Sequence, residues 1–326
     1  MNPLRLACAA WLAAGLGITA ADAVAQSAAG FPNRPVRIVV GFPAGSGNDL
    51  IARAVGTRLA EMWKQPVIVE NKVGASGVIG AESVARAAPD GYTLLLTGSS
   101  HLIQVAVAGG KGPYRAVDDF TPVSTVGTGP LILIVNNGVA AKSAQELIAL
   151  GKTQRLTYGS AGTGTSPHIA GEMFARGAGI TMTHVPYKGA APAQTDLIGG
   201  QVHSVFQVTQ VALPAVRSGQ VRALAVTGAK RLPDLPNVPT MTEIGLPDAT
   251  LELWWGLIGP AGLPQDVLRT LNEAVQQAVA NPDVQQKLAS AGLVVGSSSA
   301  ESFLATMRRD YDAFVKLVAA AGIKPD

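Results

Sequence analysis

The amino-acid sequence predicts an α/β protein with two lobes, which two crossing strands join and a cleft separates. Two observations predict this architecture. Short apolar runs alternate with helix-like segments in two successive regions of the chain, and each region opens with a strand, a glycine-rich loop and a helix. Buried parallel strands read as continuous runs of Val, Ile and Leu, so this rhythm is typical of βαβ units.

The first region accounts for one lobe. The apolar run "VRIVV" at residues 36–40 predicts a strand, and apolar residues at helical spacing predict a helix from Asp49 to about Trp63. A second strand, "PVIVENK", is followed by a helix through "GVIGAESVARAA". The turn "PDG" then separates this helix from a third strand, "YTLLLTGSS".

The second region follows a stretch without helical period at residues 120–137, which we interpret as a strand crossing to the other lobe. Strands and helices alternate again through "RLTYGSAG", "SPHIAGEMFARGAG", "MTHVPYKG" and "APAQTDLIGG", and two strands follow, "VHSVFQVT" and "VRALAVTG". "ATLELWWGLIGPAG" predicts the return crossing, and two helices follow at 265–280 and 302–321. We therefore assign residues 26–126 plus 251–326 to lobe 1 and 127–250 to lobe 2.

The first 25 residues have the three-part layout of a secretory signal. A short positive start, "MNPLR", precedes the apolar stretch "LACAAWLAAGLGITAA", and "AVA" ends at Ala25 with small residues. This layout predicts cleavage after Ala25 and a periplasmic location. The alternative is a single membrane anchor, although the stretch is short for a span. The only cysteine, Cys8, lies in this segment, so the mature chain uses no disulfide or thiol chemistry.

Composition excludes some classes of function. The 326 residues are 48% hydrophobic and 14% charged, which permits a large core and argues against disorder. The formal net charge is +3, and the Lys and Arg residues are scattered. The absence of a basic stripe argues against nucleic-acid binding. A mild positive balance modestly favours an anionic ligand.

Two glycine-rich loops present backbone amides at helix starts. "GFPAGSGND" lacks the Lys-Ser/Thr ending of a Walker loop, and its glycine spacing differs from the dinucleotide fingerprint. What remains is an N–H cluster that suits a carboxylate as well as a phosphate. "YGSAGTGTSPH" at residues 158–168 adds hydroxyl donors. Either loop alone could be a tight turn with a helix cap, but two such loops, each opening one lobe, favour anion binding.

Motifs spread over nearly the whole mature chain resemble a known family. "PVRIVVGFPAGSGNDLIAR", "PVIVENKVGASGVIGAESVARAAPDGYTLLL", "TYGSAGTGTSPHIAGEMF", "VPYKGAAPAQTDLIGGQV" and "VRALAVTGAKRLPDLPNVPTMTEIGLP" are similar to segments of the substrate-binding proteins of tripartite tricarboxylate transporters, the Bug receptors. The resemblance implies a two-lobed, type II-like periplasmic-binding-protein fold that closes on a small carboxylate. It also implies a monomer that delivers its ligand to membrane transporter subunits, without a cofactor or a metal.

The resemblance also implies which residues bind the ligand. One carboxylate end is expected at the first loop, at Phe42, Ala44, Gly45 and Ser46. The direct grip of the opposite lobe is expected from Ser160, Ala161, Gly162, Thr163 and Thr165. Further candidates, from the resemblance or from their place at helix starts and strand ends, are Asp49, Ser76, Ser100, His168, Tyr187, Gly189 and Gln207.

Several of these candidates have a structural alternative. Asp49 fits a helix cap better than a direct contact, and His168 fits a structural histidine at least as well as a ligand contact. Ser76 faces either the ligand or the lobe surface, and Lys188 is either a solvated charge or a carboxylate partner. Ser100 is placed, together with its neighbour His101, on a loop that lines the cleft.

The chain departs from the family pattern at two positions. It has His203 and Gln207 in "GGQVHSVFQ", where such receptors usually carry acidic residues. A site without that carboxylate is less suited to a ligand ammonium group, which weakens an amino-acid ligand and favours a purely anionic or uncharged far end. Trp254 and Trp255, near the return crossing, are either reporters of closure or core aromatics.

Two other classes of function use exported α/β proteins, a hydrolase and a ligand sensor. An exported hydrolase is disfavoured because no Gly-x-Ser-x-Gly elbow or His-Glu-x-x-His helix occurs and the four histidines are isolated. We therefore predict no catalytic residues and no enzyme activity. A sensor that presents its closed form to a signalling partner would use the same fold and stays open. The sequence does not identify the carboxylate.

Overall fold

The computed structural model describes residues 30–323 of the chain. The segment predicted to be a secretory signal, residues 1–25, lies outside the described residues. Within residues 30–323, no helix combines the length and the apolar character that crossing a bilayer requires.

The strands form one curled sheet with two halves that share a long strand. The strands are β1 (Val36–Val40), β2 (Val67–Asn71), β3 (Thr93–Gly98), β4 (Phe120–Asn136), β5 (Leu156–Ser160), β6 (Met182–Pro186), β7 (Ser204–Val208), β8 (Val221–Val226), β9 (Glu252–Pro260) and β10 (Val294–Val295). We call the half with order β2-β1-β3-β9-β4 the first sheet, to which β10 adds on β4. The second sheet has the order β8-β4-β7-β5-β6.

Helices cover both halves of the sheet. They are α1 (Gly47–Trp63), α2 (Val78–Ala85), α3 (Ser100–Val107), α4 (Ala144–Thr153), α5 (Ser166–Ala178), α6 (Ala190–Ile198), α7 (Thr209–Arg217), α8 (Gln265–Ala280), α9 (Pro282–Ser290) and α10 (Ala300–Ala321). Short 3-10 turns occur at Ala75–Gly77 and Pro247–Ala249. The α/β architecture agrees with the prediction.

The long strand β4 joins the two sheets. Its first part, up to Pro130, pairs with β9, and its second part, from Leu131, pairs with both β7 and β8. The chain returns at Leu251, which exchanges hydrogen bonds with Thr227: Leu251 N–H donates to the Thr227 carbonyl at 2.8 Å, and Thr227 Oγ1 donates to the Leu251 carbonyl at 2.7 Å. The two crossing segments pair directly, Gly129 with Leu253 and Pro130 with Glu252, and so lie side by side.

Parallel pairing places several helix starts at one edge. Strands β1 and β3 are neighbours and parallel in the first sheet, and β5 is parallel to both β6 and β7 in the second. Each of these strands leads, directly or through a short loop, into a helix: α1, α3, α5, α6 and α7. The carboxyl ends of parallel strands lie at the same edge of a sheet, so the amino ends of these helices gather at the cleft between the sheets.

Four helices within residues 30–323 were not predicted, namely α3, α4, α7 and α9. Helix α3 takes in Ser100 and His101, which the sequence analysis placed on a loop, and that placement was wrong. Its turns are buried over most of their circumference, so the amphipathic period that marks a helix is absent. Helix α7 contains Pro214 in its interior, which normally interrupts a helix pattern. Helix α9 is short and follows α8 after a single residue.

Candidate functional site

A small cavity lies between the two sheets, and we call it the first cavity. Its volume is about 50 Å³, room for a few water molecules or for one small polar group. It is lined by Phe42, Ser46, Gly47, Asn48, Gly98, Ser99, Ser100, Ala161, Thr165, Ser166, Pro167, Ala190, Val208, Leu253 and Trp255. Both sheets and the return crossing therefore contribute to its wall.

The amino ends of five helices meet at this cavity. The lining contains the N-cap or the first residues of α1, α3, α5, α6 and α7. The lining contains no Asp, Glu, Lys, Arg or His side chain. Each helix amino end carries a partial positive charge and unpaired N–H groups. The electrostatic character of the wall is therefore positive without any cationic side chain, which suits an anion.

The first loop is held by a buried carboxylate. Asp49 is 2% exposed, and its carboxylate accepts hydrogen bonds from the Gly45 N–H at 2.9 Å, from Asn71 Nδ2 at 2.9 Å and from Arg53 Nε at 3.0 Å. Ser46 caps α1 by accepting from the Asp49 N–H at 3.3 Å. Burial alone would raise the pKa of Asp49, but the hydrogen bonds from Arg53, Gly45 and Asn71 outweigh it and hold this pKa below its usual value. Asp49 thus acts within the loop.

Other amides of the two loops are free to bind. Among residues 30–323, the backbone N–H groups of Gly47, Asn48 and Ala161 have no hydrogen-bond partner. All three residues line the first cavity. Gly47 and Asn48 belong to the first turn of α1, whose N–H groups cannot reach an intrahelical acceptor. These groups can donate to the oxygen atoms of a ligand.

Hydrogen bonds among its own side chains and two histidines hold the conformation of the second loop, residues 158–168. Ser160 Oγ accepts from the Gly162 N–H at 3.1 Å and lies 2.7 Å from His184 Nε2. Thr165 Oγ1 donates to the Gly162 carbonyl at 2.6 Å, and the Gly164 N–H donates to His168 Nδ1 at 3.0 Å. The loop is therefore fixed by its own side chains, and the rings of His168 and His184 stack at 3.8 Å beneath it.

The two sheets' loops are in direct contact. Ser100 Oγ, in α3, lies 3.0 Å from Ser166 Oγ, and it accepts from the Ser166 N–H at 3.1 Å. Gln104 Nε2, one turn further along α3, donates to the Thr163 carbonyl at 2.7 Å. These hydrogen bonds connect α3, which follows a strand of the first sheet, to the loop and helix that follow β5 in the second sheet, so the two sheets are joined directly beside the first cavity.

A second, larger cavity adjoins the first. It measures about 460 Å³ and shares Phe42 and Ala161 with the first cavity. The remaining lining residues are Gly41, Val73, Gly74, Ala75, Ser76, Gly77, Gly162, Thr163, Pro186, Tyr187 and Lys188. Lys188 is the charged member of this lining. The Tyr187 hydroxyl donates to Asp196 Oδ2 at 2.8 Å, and burial, with this hydrogen bond, raises the pKa of Tyr187 to about 12.

The structure divides the predicted ligand-binding residues into three groups. The first cavity is lined by Phe42, Ser46, Ser100, Ala161 and Thr165. The second cavity is lined by Phe42, Ser76, Ala161, Gly162, Thr163 and Tyr187. The third group lines neither of these two cavities and consists of Ala44, Gly45, Asp49, Ser160, His168, Gly189 and Gln207.

Most residues in the third group support the walls of the site. Gln207 is 1% exposed; its Nε2 donates to the Ala190 carbonyl at 3.0 Å and to Gln194 Oε1 at 3.1 Å, while its Oε1 accepts from the Val208 N–H at 3.1 Å. It thereby ties the starts of α6 and α7 together. His101 is also buried: its Nε2 donates to the Ala116 carbonyl at 2.8 Å, and burial lowers the pKa of His101 to about 4.

Several lining residues were not predicted. They are Gly47, Asn48, Gly98, Ser99, Ser166, Pro167, Ala190, Val208, Leu253 and Trp255. The small residues of "TGSS", where β3 ends and α3 begins, resemble the two predicted loops and carried a usable signal. The starts of α6 and α7 follow strands without a glycine-rich loop of that kind, and the return crossing reaches the cavity only through tertiary folding.

Comparison with known proteins extends these observations. A family model described as "Tripartite tricarboxylate transporter family receptor" matches residues 51–318. Protein BugT of Bordetella pertussis is 36% identical over 277 residues, which cover 84% of this chain and 85% of BugT.

Solved structures give the same result. The periplasmic binding protein BugD is 33% identical, with a TM-score of 0.85, over 90% of this chain and 99% of BugD. A protein from R. palustris solved with adipate is 31% identical, with a TM-score of 0.87, over 91% of this chain and 100% of that one. MatC from Rhodopseudomonas palustris, with bound malate, is 30% identical, with a TM-score of 0.83, over 88% of this chain and 100% of MatC.

Proposed function

Because the chain belongs to the tripartite tricarboxylate transporter receptor family, we propose that it is an exported receptor that captures a small carboxylate between its two lobes. Family members are periplasmic binding proteins. In this proposal the chain acts in the periplasm after cleavage of its signal segment, works as a monomer, and delivers the ligand to the membrane subunits of a tripartite transporter.

One observation carries the proposal: the amino ends of five helices line a single cavity whose wall has no charged side chain. A helix amino end contributes about 0.3–1 kcal/mol to the binding of an anion, and up to about 2 kcal/mol where it is partly buried. Free N–H groups add charge-assisted hydrogen bonds of roughly 1.5–3 kcal/mol each. These contributions, less the cost of ordering, are of the size that micromolar binding requires, about −8 kcal/mol.

We propose that the lobes are residues 26–126 plus 251–326 and residues 127–250. The crossing at residues 129–131 and 251–253 would then be the hinge, and the contacts between Ser100 and Ser166 would form on closure. The carboxylate would bind at the first cavity, on the free amides of the two loops. The rest of the ligand would extend past Phe42 and Ala161 toward the second cavity.

The ligand class follows from the chemistry of the walls. Neither cavity lining contains a carboxylate side chain that could pair with a ligand ammonium group. Adipate and malate, present in two similar proteins, are dicarboxylates without an amine. We therefore propose a carboxylic acid without an amino group as the ligand.

A thermal-shift screen of the mature chain tests this proposal. The panel contains mono-, di- and tricarboxylates, aromatic acids and amino acids, and each acid is paired with its uncharged amide as a matched control. A ligand at about a hundredfold its Kd adds roughly 2.7 kcal/mol to the free energy of unfolding. We expect an acid to shift the Tm and its amide to leave it unchanged. Stabilisation by the amides alone, or by no acid at all, contradicts the proposal.

Turnover separates a receptor from a hydrolase. The best ligand is incubated with the protein and recovered for mass spectrometry, and we expect stoichiometric binding with the ligand unchanged. Uptake measured with and without the transporter's membrane subunits then separates delivery from sensing.

A further inference from the structure

We infer that the Asn48 side chain is a ligand donor in the first cavity and that Trp255 sets its orientation. This inference rests on the proposed function, because it names a specificity-determining side chain of the same site. Asn48 is the second residue of α1 and lines the first cavity, and Trp255 lies in β9 at the return crossing.

A single hydrogen bond decides the orientation of the Asn48 amide. Trp255 Nε1 lies 3.0 Å from Asn48 Oδ1. An indole N–H can donate a hydrogen bond but cannot accept one, so the atom of Asn48 that faces it must be the oxygen. The Asn48 amide cannot be flipped without opposing two donors. Its NH₂ group is therefore directed away from the indole.

The NH₂ group of Asn48 is available for a ligand. Among residues 30–323, Asn48 Nδ2 has no hydrogen-bond partner. It is also absent from the fully buried side-chain atoms without a partner, so a ligand can reach it. Besides the first cavity, Asn48 lines a cavity of about 10 Å³ beside Thr97 and Ser100. The backbone N–H of Asn48 is also free. One residue thus presents three N–H bonds where an anionic oxygen is expected.

Packing holds the indole in place before any ligand arrives. Trp255 is 3% exposed, and its strand pairs with Gly98 of β3 and with Gly127 of β4. A Cβ on Gly98 would lie 3.2–3.3 Å from Trp255 Cδ1 and Nε1, so the absence of a side chain at Gly98 leaves room for the indole. A donor oriented in advance loses little freedom on binding. The pair also connects the crossing strand to the first turn of α1.

Substitution of Asn48 tests the inference. In Asn48→Asp the carboxylate still accepts from Trp255, but an anionic oxygen replaces the NH₂ group, so we expect the affinity for the acid found by the screen to fall by more than about a hundredfold. Asn48→Ala, which only removes the donor, should lower the affinity roughly tenfold. Asn281→Asp, a matched control with the same charge change at the cap of α9, should bind as the wild type does.

A double-mutant cycle tests the role of Trp255. Trp255→Phe keeps an aromatic ring but removes the N–H, so the Asn48 amide is released and affinity should fall severalfold. In the Asn48→Ala background the donor is already absent, so Trp255→Phe should lower the affinity less than it does in the wild type. The losses of affinity in the two single variants should therefore not add in the double variant. Additive losses would show that Trp255 acts by packing alone and would overturn its positioning role.

The outcomes separate this inference from the proposed function. If the wild type binds a carboxylate and Asn48→Asp binds it equally well, the inference is wrong while the receptor function stands. The Trp255 indole N–H resonance in ligand-free protein gives a second readout. It should shift in Asn48→Ala and stay hydrogen-bonded in Asn48→Asp. An unchanged resonance in Asn48→Ala overturns the inference whether or not any acid binds.

Discussion

Replacing Gly162 with alanine is expected to hinder closure of the cleft. Gly162 follows β5 in the second sheet, whereas Ser76 precedes α2 in the first sheet. A Cβ on Gly162 would lie 2.4 Å from Ser76 Oγ and 3.4 Å from Ser76 Cβ. The first distance is far below a normal contact and exists only while the lobes are closed. The substitution therefore acts on the closed form.

Two energetic effects of Gly162→Ala can be separated. Gly162 has φ +129°, a backbone conformation that costs a residue with a side chain about 1–3 kcal/mol. We expect that strain in the open and the closed form alike, so that it lowers the Tm without changing affinity. The collision with Ser76 affects only the closed form, and overpacking of this kind costs about 1–3 kcal/mol. We expect the Kd to rise about 5- to 150-fold.

The assay is calorimetric titration of four proteins with the same acid: wild type, Gly162→Ala, Ser76→Ala and the double variant. Ser76→Ala removes the Oγ and leaves a Cβ at an ordinary 3.4 Å. The double variant should therefore bind about as well as Ser76→Ala, although its Tm stays low. Wild-type affinity in Gly162→Ala, or a double variant as weak as Gly162→Ala, would refute the reasoning.

Two further predictions concern buried polar groups. Asp49→Asn removes the charge that Arg53 and the Gly45 N–H bind. Urea unfolding at pH 7 should show that the free energy of unfolding falls by about 3 kcal/mol, whereas the control Asp312→Asn, at an exposed position, should leave it unchanged. Because the pKa of Asp49 is lowered on folding, the stabilisation by its carboxylate is present above about pH 4 and is lost as the pH falls through the lowered pKa. The stability difference between Asp49→Asn and wild type should therefore shrink in acid. A stability difference that does not depend on pH would contradict this prediction. Gln207→Glu puts a carboxyl group against the Ala190 carbonyl. We expect the Tm to fall at pH 8 and to be partly recovered at pH 5, because a protonated Glu can donate a hydrogen bond to that carbonyl. An equal fall in Tm at both pH values would argue against this hydrogen-bonding role.

The fold was largely accessible from the sequence because its signals are local. The apolar runs at 36–40 and 120–137 and the helical spacing in 265–280 reflect burial patterns that each segment carries by itself, and the structure has β1, β4 and α8 there. Helix α3 escaped prediction because both its faces are covered, so no polar side repeats at helical spacing. Helix α7 was missed because Pro214 is inside it.

The candidate site was only partly accessible from the sequence. The glycine and hydroxyl residues before a helix pointed to the two loops, and the family resemblance pointed to Ser46 and Ala161 within them; both residues line the first cavity. Asn48 and Trp255 could not be paired in advance, since 207 positions separate them. Nothing local to Gln207 indicates whether its amide meets a ligand or, as here, the carbonyl of Ala190.

The sequence by itself determined the α/β rhythm, the family and the presence of two glycine-rich loops at helix starts, because strand burial, helix capping and glycine-rich turns are properties of short segments. The tertiary structure decided which groups reach the cavity. Pairing of β3, β5, β6 and β7 brings three further helix starts to it, and packing of β9 fixes the amide of Asn48. Such long-range contacts depend on register and packing between distant segments, which no local pattern encodes.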